Sequence, residues 1–156
     1  MSSELALMAP YIHYIVLDDL KLNIEIFRGS VYLEDLLRLK NQQANDGVYN
    51  PNYNNITDLR CAEMNLSIKD VKEFADQYAN LTSLLGDRKC AMLTSSPKAA
   101  ALSMLYRNYS NNLPMHYEVF TTIEACMRWT NIEAHLIKKI EELLQCNNSN
   151  LERIAS

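Results

Sequence analysis

Glycine and proline are scarce, 3 and 4 among 156 residues, and that argues against a loop-built or repeat-β architecture. No apolar run approaches membrane-spanning length, so membrane insertion is not expected. Lysine and arginine are scattered, and the formal net charge is −4. Nucleic-acid binding needs a basic face that neutralises phosphates, so no nucleic-acid partner is expected, and an anionic membrane surface is disfavoured on the same ground. No basic stretch precedes the first short apolar segment after Met1-Ser2-Ser3-Glu4, so the start does not read as a secretory signal. Closely spaced cysteine pairs, metal-binding histidine spacings, a nucleophile elbow, a glycine-rich phosphate loop and a dinucleotide fingerprint are all missing. The reading therefore predicts no catalytic residue, no metal and no cofactor.

Cysteines stand at positions 61, 90, 126 and 146, with Cys90 and Cys126 inside hydrophobic runs. They read as the reduced, buried thiols of a cytoplasmic protein. Hydrophobic residues at 48% and charged residues at 22% are near globular averages, and the length suits one domain with a real core.

What is present is a rhythm. Tyr11–Leu17 and Leu22–Arg28 are rich in β-branched and aromatic residues, and Asp18-Asp19 breaks them, which predicts an antiparallel hairpin ended by Gly29-Ser30. A helix follows over Tyr32–Gln43, with Leu33, Leu36, Leu37 and Lys40 at helical spacing. Three strand–helix units come next. Asn54–Leu59, Lys89–Thr94 and Met115–Phe120 are the strands, and Ser67, Ser96-Pro97 and Thr121 or Thr122 open the helices. Strands that alternate with helices are joined by crossovers and pair in parallel. The expected fold is α/β, a single mixed and mostly parallel five-stranded sheet with helices packed on it and an extra C-terminal helix. Residues 1–10 read as a lead-in, 11–131 as the α/β domain, and 132–156 as a C-terminal helix with a frayed tail.

Ligands of open α/β sheets gather at the rim where strands end and helices begin. There, Ser95-Ser96-Pro97-Lys98 offers serines, a helix start and a lysine for an anion, or simply a good helix cap. Asp58 and Arg60 share the rim as an anion site or as an ion pair. Tyr49 and Tyr53 form an aromatic lip over it, or a turn around Pro51. Ser67, with Asp70 three residues on, is a helix cap or a phosphorylation site. Histidines 13, 116 and 135 share no metal spacing, and Asp18-Asp19 and Glu141-Glu142 read as solvated pairs. The apolar stripe Leu136, Ile140, Leu143 predicts a helix that docks partly on its own domain and partly on a second copy, giving a homodimer.

The order hairpin, helix, three strand–helix units resembles the STAS-like, anti-sigma-factor-antagonist-like small α/β proteins of bacteria over residues 11–131. Asp58-Leu59-Arg60, Thr94-Ser95-Ser96-Pro97 and the Val119-Phe120-Thr121 to Trp129 ending carry the likeness. The resemblance implies the fold and a non-enzymatic regulatory module working through protein contacts at the strand-end rim and helix faces. In those antagonists an Asp-Ser pair places the phosphorylated serine at a helix start. The matching serine here is Ser67, preceded by Leu66. The same fold also houses lipid-carrying domains, so the resemblance equally implies a carrier or sensor for a small apolar or anionic ligand.

Overall fold

A computed structural model describes residues 10–144. Five strands form one open sheet in the order β1-β2-β3-β4-β5: Tyr11–Leu17, Leu22–Val31, Asn54–Met64, Lys89–Leu93 and His116–Phe120. β1 runs antiparallel to β2, and every later pair is parallel. The α-helices are α1 (Leu33–Ala44), α2 (Ile68–Ala79), α3 (Pro97–Tyr109), α4 (Ile123–Trp129) and α5 (Ile137–Leu144). The expected mixed α/β architecture is therefore the observed one.

Strict sequential strand order has a consequence for the layers. Right-handed crossovers that always step to the next strand place their helices on one face. α1, α2 and α3 accordingly share a core with the sheet built from Phe27, Leu36, Val71, Phe74, Met92, Ala99 and Tyr106. The other face would be bare without the C-terminal segment. α4 and α5 cover it, burying Ile123, Met127, Ile132, Ile140 and Leu144 against Leu22, Ile24, Ile26, Ile56 and Leu93. Residues 132–144 thus complete the sheet's second layer, and Ile140 and Leu144 dock on their own chain. Gln145 and the tail beyond it, including Cys146 and the expected fraying, lie outside the described residues, as does most of the lead-in.

Two strands run further than the sequence pattern suggests. β2 does not stop at Gly29 but continues to Val31, with Gly29 at φ 79, a left-handed conformation that glycine adopts without a Cβ penalty. β3 extends past Leu59 to Met64, so that Arg28↔Cys61 through Val31↔Met64 prolong the pairing. Between Ile26↔Asp58 and Arg28↔Cys61 the register shifts, leaving Leu59 and Arg60 opposite Phe27. This bulge changes which β3 side chains face the helix layer, from Leu59 before it to Ala62 and Met64 after it.

Helix starts follow their caps. Ser67 Oγ accepts from Asp70 N at 3.1 Å while Ser67 N donates to Asp70 at 3.0 Å, a reciprocal capping box. Ser96 Oγ accepts from Ala99 N at 3.1 Å, and Thr122 does the same for Ala125. Cys90 and Cys126 are buried free thiols, and burial pushes them up to about 11 and about 12, so neither is nucleophilic near neutrality. Cys61 departs from the expectation of reduced thiols, because it is disulfide-bonded.

Candidate functional site

The residues singled out at the rim are brought together only in part. β3 continues through Arg60, and Arg60 pairs with Asp58 through Nε at 3.0 Å and with Glu141 of α5 through Nη1 at 3.0 Å. Burial works against the Arg60 charge, but the bonds to Asp58 and Glu141 outweigh it and hold its pKa above the ordinary value. Ser95 Oγ donates to the Arg60 carbonyl at 3.0 Å. This cluster ties the C-terminal helix to the sheet, and Glu141 is part of it rather than a merely solvated carboxylate. Ser96 is occupied as a cap, and Lys98 is exposed.

Tyr49 and Tyr53 do not form a lip over that rim. They precede β3 and sit at its opposite end, where the Tyr53 hydroxyl donates to Asp18 at 3.0 Å. Tyr49 is buried, meets Tyr14 edge-on at 5.7 Å between ring centroids, and turns its hydroxyl inward to Arg88. Tyr14 itself hydrogen-bonds Asp46.

Following Tyr49 inward leads to a site that lies beneath the helix layer. Glu25 sits mid-way along β2 and faces α1, 2% exposed. Its Oε2 accepts from Lys40 Nζ at 2.6 Å and Gln43 Nε2 at 2.7 Å; its Oε1 accepts from Thr57 Oγ1 at 2.7 Å and Asn55 Nδ2 at 3.2 Å. Secondary structure fixes this set. Lys40 and Gln43 are one turn apart on α1, and the parallel register places Thr57 beside Glu25 with Asn55 two residues before it on the same face. Burial raises the Glu25 pKa, but Lys40 and the hydrogen bonds from Lys40, Thr57 and Gln43 overcome it and hold the carboxyl at about 2. Lys40 is raised in return, because Glu25 outweighs its own desolvation. Its ammonium also lies 4.8 Å from the Tyr78 ring centroid.

Arg88, just before β4, supplies a second buried cation, 3% exposed. It donates to Tyr49 Oη at 2.7 Å, Tyr78 Oη at 3.2 Å, the Leu84 carbonyl at 3.2 Å and the Tyr53 carbonyl at 3.4 Å. The turn that delivers it needs Gly86, since a Cβ there would lie 2.5 Å from the Pro51 carbonyl oxygen.

Between these polar groups and α2–α3 lies a cavity of about 90 Å³. Glu25, Lys40, Asn55, Thr57 and Arg88 line one part, and Phe27, Phe74, Met92, Leu102, Tyr106 and Tyr117 are among its apolar walls. Two atoms of its polar residues, Arg88 Nε and Asn55 Oδ1, are buried without a hydrogen-bond partner among the described residues. Such a space can hold a small molecule by shape against its apolar walls, with the charged cluster lying beside it. Among the described residues no group of three side chains is arranged to ligate a metal, and no helix is long and apolar enough to cross a membrane.

Sequence reasoning did not single out Glu25, Asn55, Thr57 or Arg88. One signal was present: Lys40 falls on the apolar stripe of its helix, a position where a lysine must be buried and paired. No family model matches the sequence, and no curated protein does.

Proposed function

We propose that this chain is a non-enzymatic regulatory module of the STAS-like type whose signal is a small ligand held between the sheet and the α1–α3 layer. The observation that carries the reading is the cavity with apolar walls beside a buried charged cluster. The carrier-or-sensor reading therefore gains support over one based on the rim, where Asp58, Arg60, Ser95 and Glu141 are engaged with each other. Ser67 serves its helix as a cap, and a phosphate there remains electrostatically compatible with a helix start.

A contact surface for a protein partner belongs to the same proposal. Ile68 on α2 and Met104 and Tyr109 on α3 are exposed apolar residues on the helices that roof the cavity, so an occupant that shifts those helices alters the outer face. Self-association through α5 is a weaker demand than the sequence suggests, because Ile140 and Leu144 are already covered; light scattering of the full chain at micromolar concentration decides it. Cytoplasmic placement is proposed with it, and thiol counting on protein recovered under alkylating conditions tests that against the disulfide at Cys61.

Native mass spectrometry of freshly purified protein tests the ligand reading. The expected result is a noncovalent small-molecule adduct that disappears in Ser103→Leu, which places an isobutyl group in the cavity wall. For each protein, only the bare mass expected from its own sequence, with no ligand extracted from either, contradicts it.

A further inference from the structure

We infer that the cavity takes a small neutral hydrocarbon, a molecule with no charge and no hydrogen-bonding group. The inference rests on the ligand reading above and adds the class of ligand. Polar side chains border the space, yet its accessible surface is almost wholly apolar. The hydrogen bonds explain why. Lys40 Nζ donates to Glu25 at 2.6 Å and to Gln43 at 3.1 Å, and the Tyr78 hydroxyl accepts from Arg88 at 3.2 Å. Tyr106 and Tyr117 join their hydroxyls at 2.9 Å. Arg88 Nε and Asn55 Oδ1 lack partners but also lack accessible surface, so neither is offered to an occupant. What an occupant meets is the carbon and sulfur of side chains such as Phe27, Phe74, Met92 and Leu102.

A polar molecule entering such a space gives up hydrogen bonds to water and regains none, and a charged one loses far more. Water is disfavoured on the same ground, because it needs about two to four polar partners. A hydrocarbon has no such loss and gains contact with walls that already stand.

Two features keep the space open. On α3 the buried stripe carries Ala99 and Ser103, one turn apart, where longer side chains would fill it. On the sheet, Glu25 is bonded to Lys40 and Gln43 of α1, and Arg88 to Tyr78 of α2. The charged cluster thus fixes two helices over the sheet and does not itself meet the ligand. Size sets the upper limit. An apolar cavity of about 150 Å³ accommodates benzene, and this one is about 90 Å³. By that comparison the ligand has about four or five carbon atoms.

The test is methyl and amide NMR titration of the full chain with three five-membered rings of like shape: cyclopentane, tetrahydrofuran and pyrrolidine, the last protonated at neutral pH. Cyclopentane is expected to bind saturably, shifting the methyl signals of Met92 and Leu102 and raising the Tm. Tetrahydrofuran is expected to bind about tenfold or more weakly, because its ether oxygen finds no donor, and pyrrolidinium not at all. Ser103→Leu keeps every charged group and abolishes the cyclopentane response; its own spectrum reports whether it is folded. If it is not, the wild-type shifts at Met92 and Leu102 locate the site alone. Tetrahydrofuran or pyrrolidinium binding as tightly as cyclopentane at those signals overturns the hydrocarbon assignment and leaves the cavity reading standing. Cyclopentane that shifts only other signals, or that binds a folded Ser103→Leu equally well, lies elsewhere and overturns the inference. No response to any of the three overturns it too: a native adduct then still supports the ligand reading, and its absence removes that reading as well.

Discussion

The central strands present different chemistry to their two sides. Towards α4 and α5, β2 offers Leu22, Ile24 and Ile26, β3 offers Ile56, and β4 offers Ala91 and Leu93, which close into an aliphatic core. Charge appears there at the margins of that core, where Asp58, Arg60 and Glu141 meet and where Lys89 lies over Trp129. Towards α1–α3, β2 and β3 offer Asn23, Glu25, Asn55 and Thr57, and the packing beside them leaves a cavity. A sheet covered on both faces normally carries apolar residues on both. Stability alone is better served by the first face, since a well-packed apolar replacement for a buried ion pair is often neutral or stabilising. The second face gives up that packing to keep a fixed polar constellation, and this is why we place the function there.

The largest effect is expected from Glu25→Ala. It leaves Lys40 buried beside Arg88 with no carboxylate, and should cost about 3–5 kcal/mol in chemical denaturation, enough to unfold a marginal domain. The double change Glu25→Leu with Lys40→Met should recover most of that stability while abolishing ligand binding. If the single change proves neutral, the buried pair is not formed in solution.

Ile56→Ala probes the other face. Ile56 is fully buried, and the truncation should cost about 3 kcal/mol. Ser103→Leu on the cavity face should be neutral or stabilising by up to about 1 kcal/mol, because it fills space already present. Similar losses at both positions would mean that both faces are equally packed.

Acid titration distinguishes the faces by a proton. The Glu25 pKa is about 2 in the folded chain, below its ordinary 4.5, so its stabilisation is complete above about pH 4.5 and fades as pH falls towards 2. That shift corresponds to a loss on the order of 3 kcal/mol, and Glu25→Gln with Lys40→Met should flatten it. Lys40 is shifted upward, so its share is intact below its ordinary 10.5 and is lost only at pH above its raised value.

Smaller effects belong to the surface. Ser67→Ala removes the α2 cap and should cost about 1 kcal/mol. Glu141→Gln weakens a half-exposed contact to Arg60 and should cost less than about 1 kcal/mol while speeding hydrogen exchange across α5.

Much of the fold was legible because its signals are local. Ser67 and Ser96-Pro97 announce helix starts, Asp18-Asp19 a turn, and alternation the hairpin. What the pattern obscures is the sheet beyond Gly29 and Leu59, where a left-handed glycine and a bulge continue pairing that local propensity reads as ended. The site was less legible. Glu25 on β2 and Asn55 and Thr57 on β3 look like the wet side of half-exposed strands, and only the one-sided stacking of α1–α3 reveals that this side is buried. Arg88 lies in a turn, and its inward direction depends on tyrosines at positions 49 and 78, far from it in the chain.

Xenon under pressure reports a hollow apolar space directly, through a heavy-atom peak in a crystal or a chemical shift in solution. One xenon site beside Phe74, Met92 and Leu102, with none between the sheet and α4–α5, is the predicted result. Binding lost in Ser103→Leu would place the xenon in this cavity. Absence of xenon from the α1–α3 face, or its appearance only under α4 and α5, would contradict the assignment of function to the hollow side of the sheet.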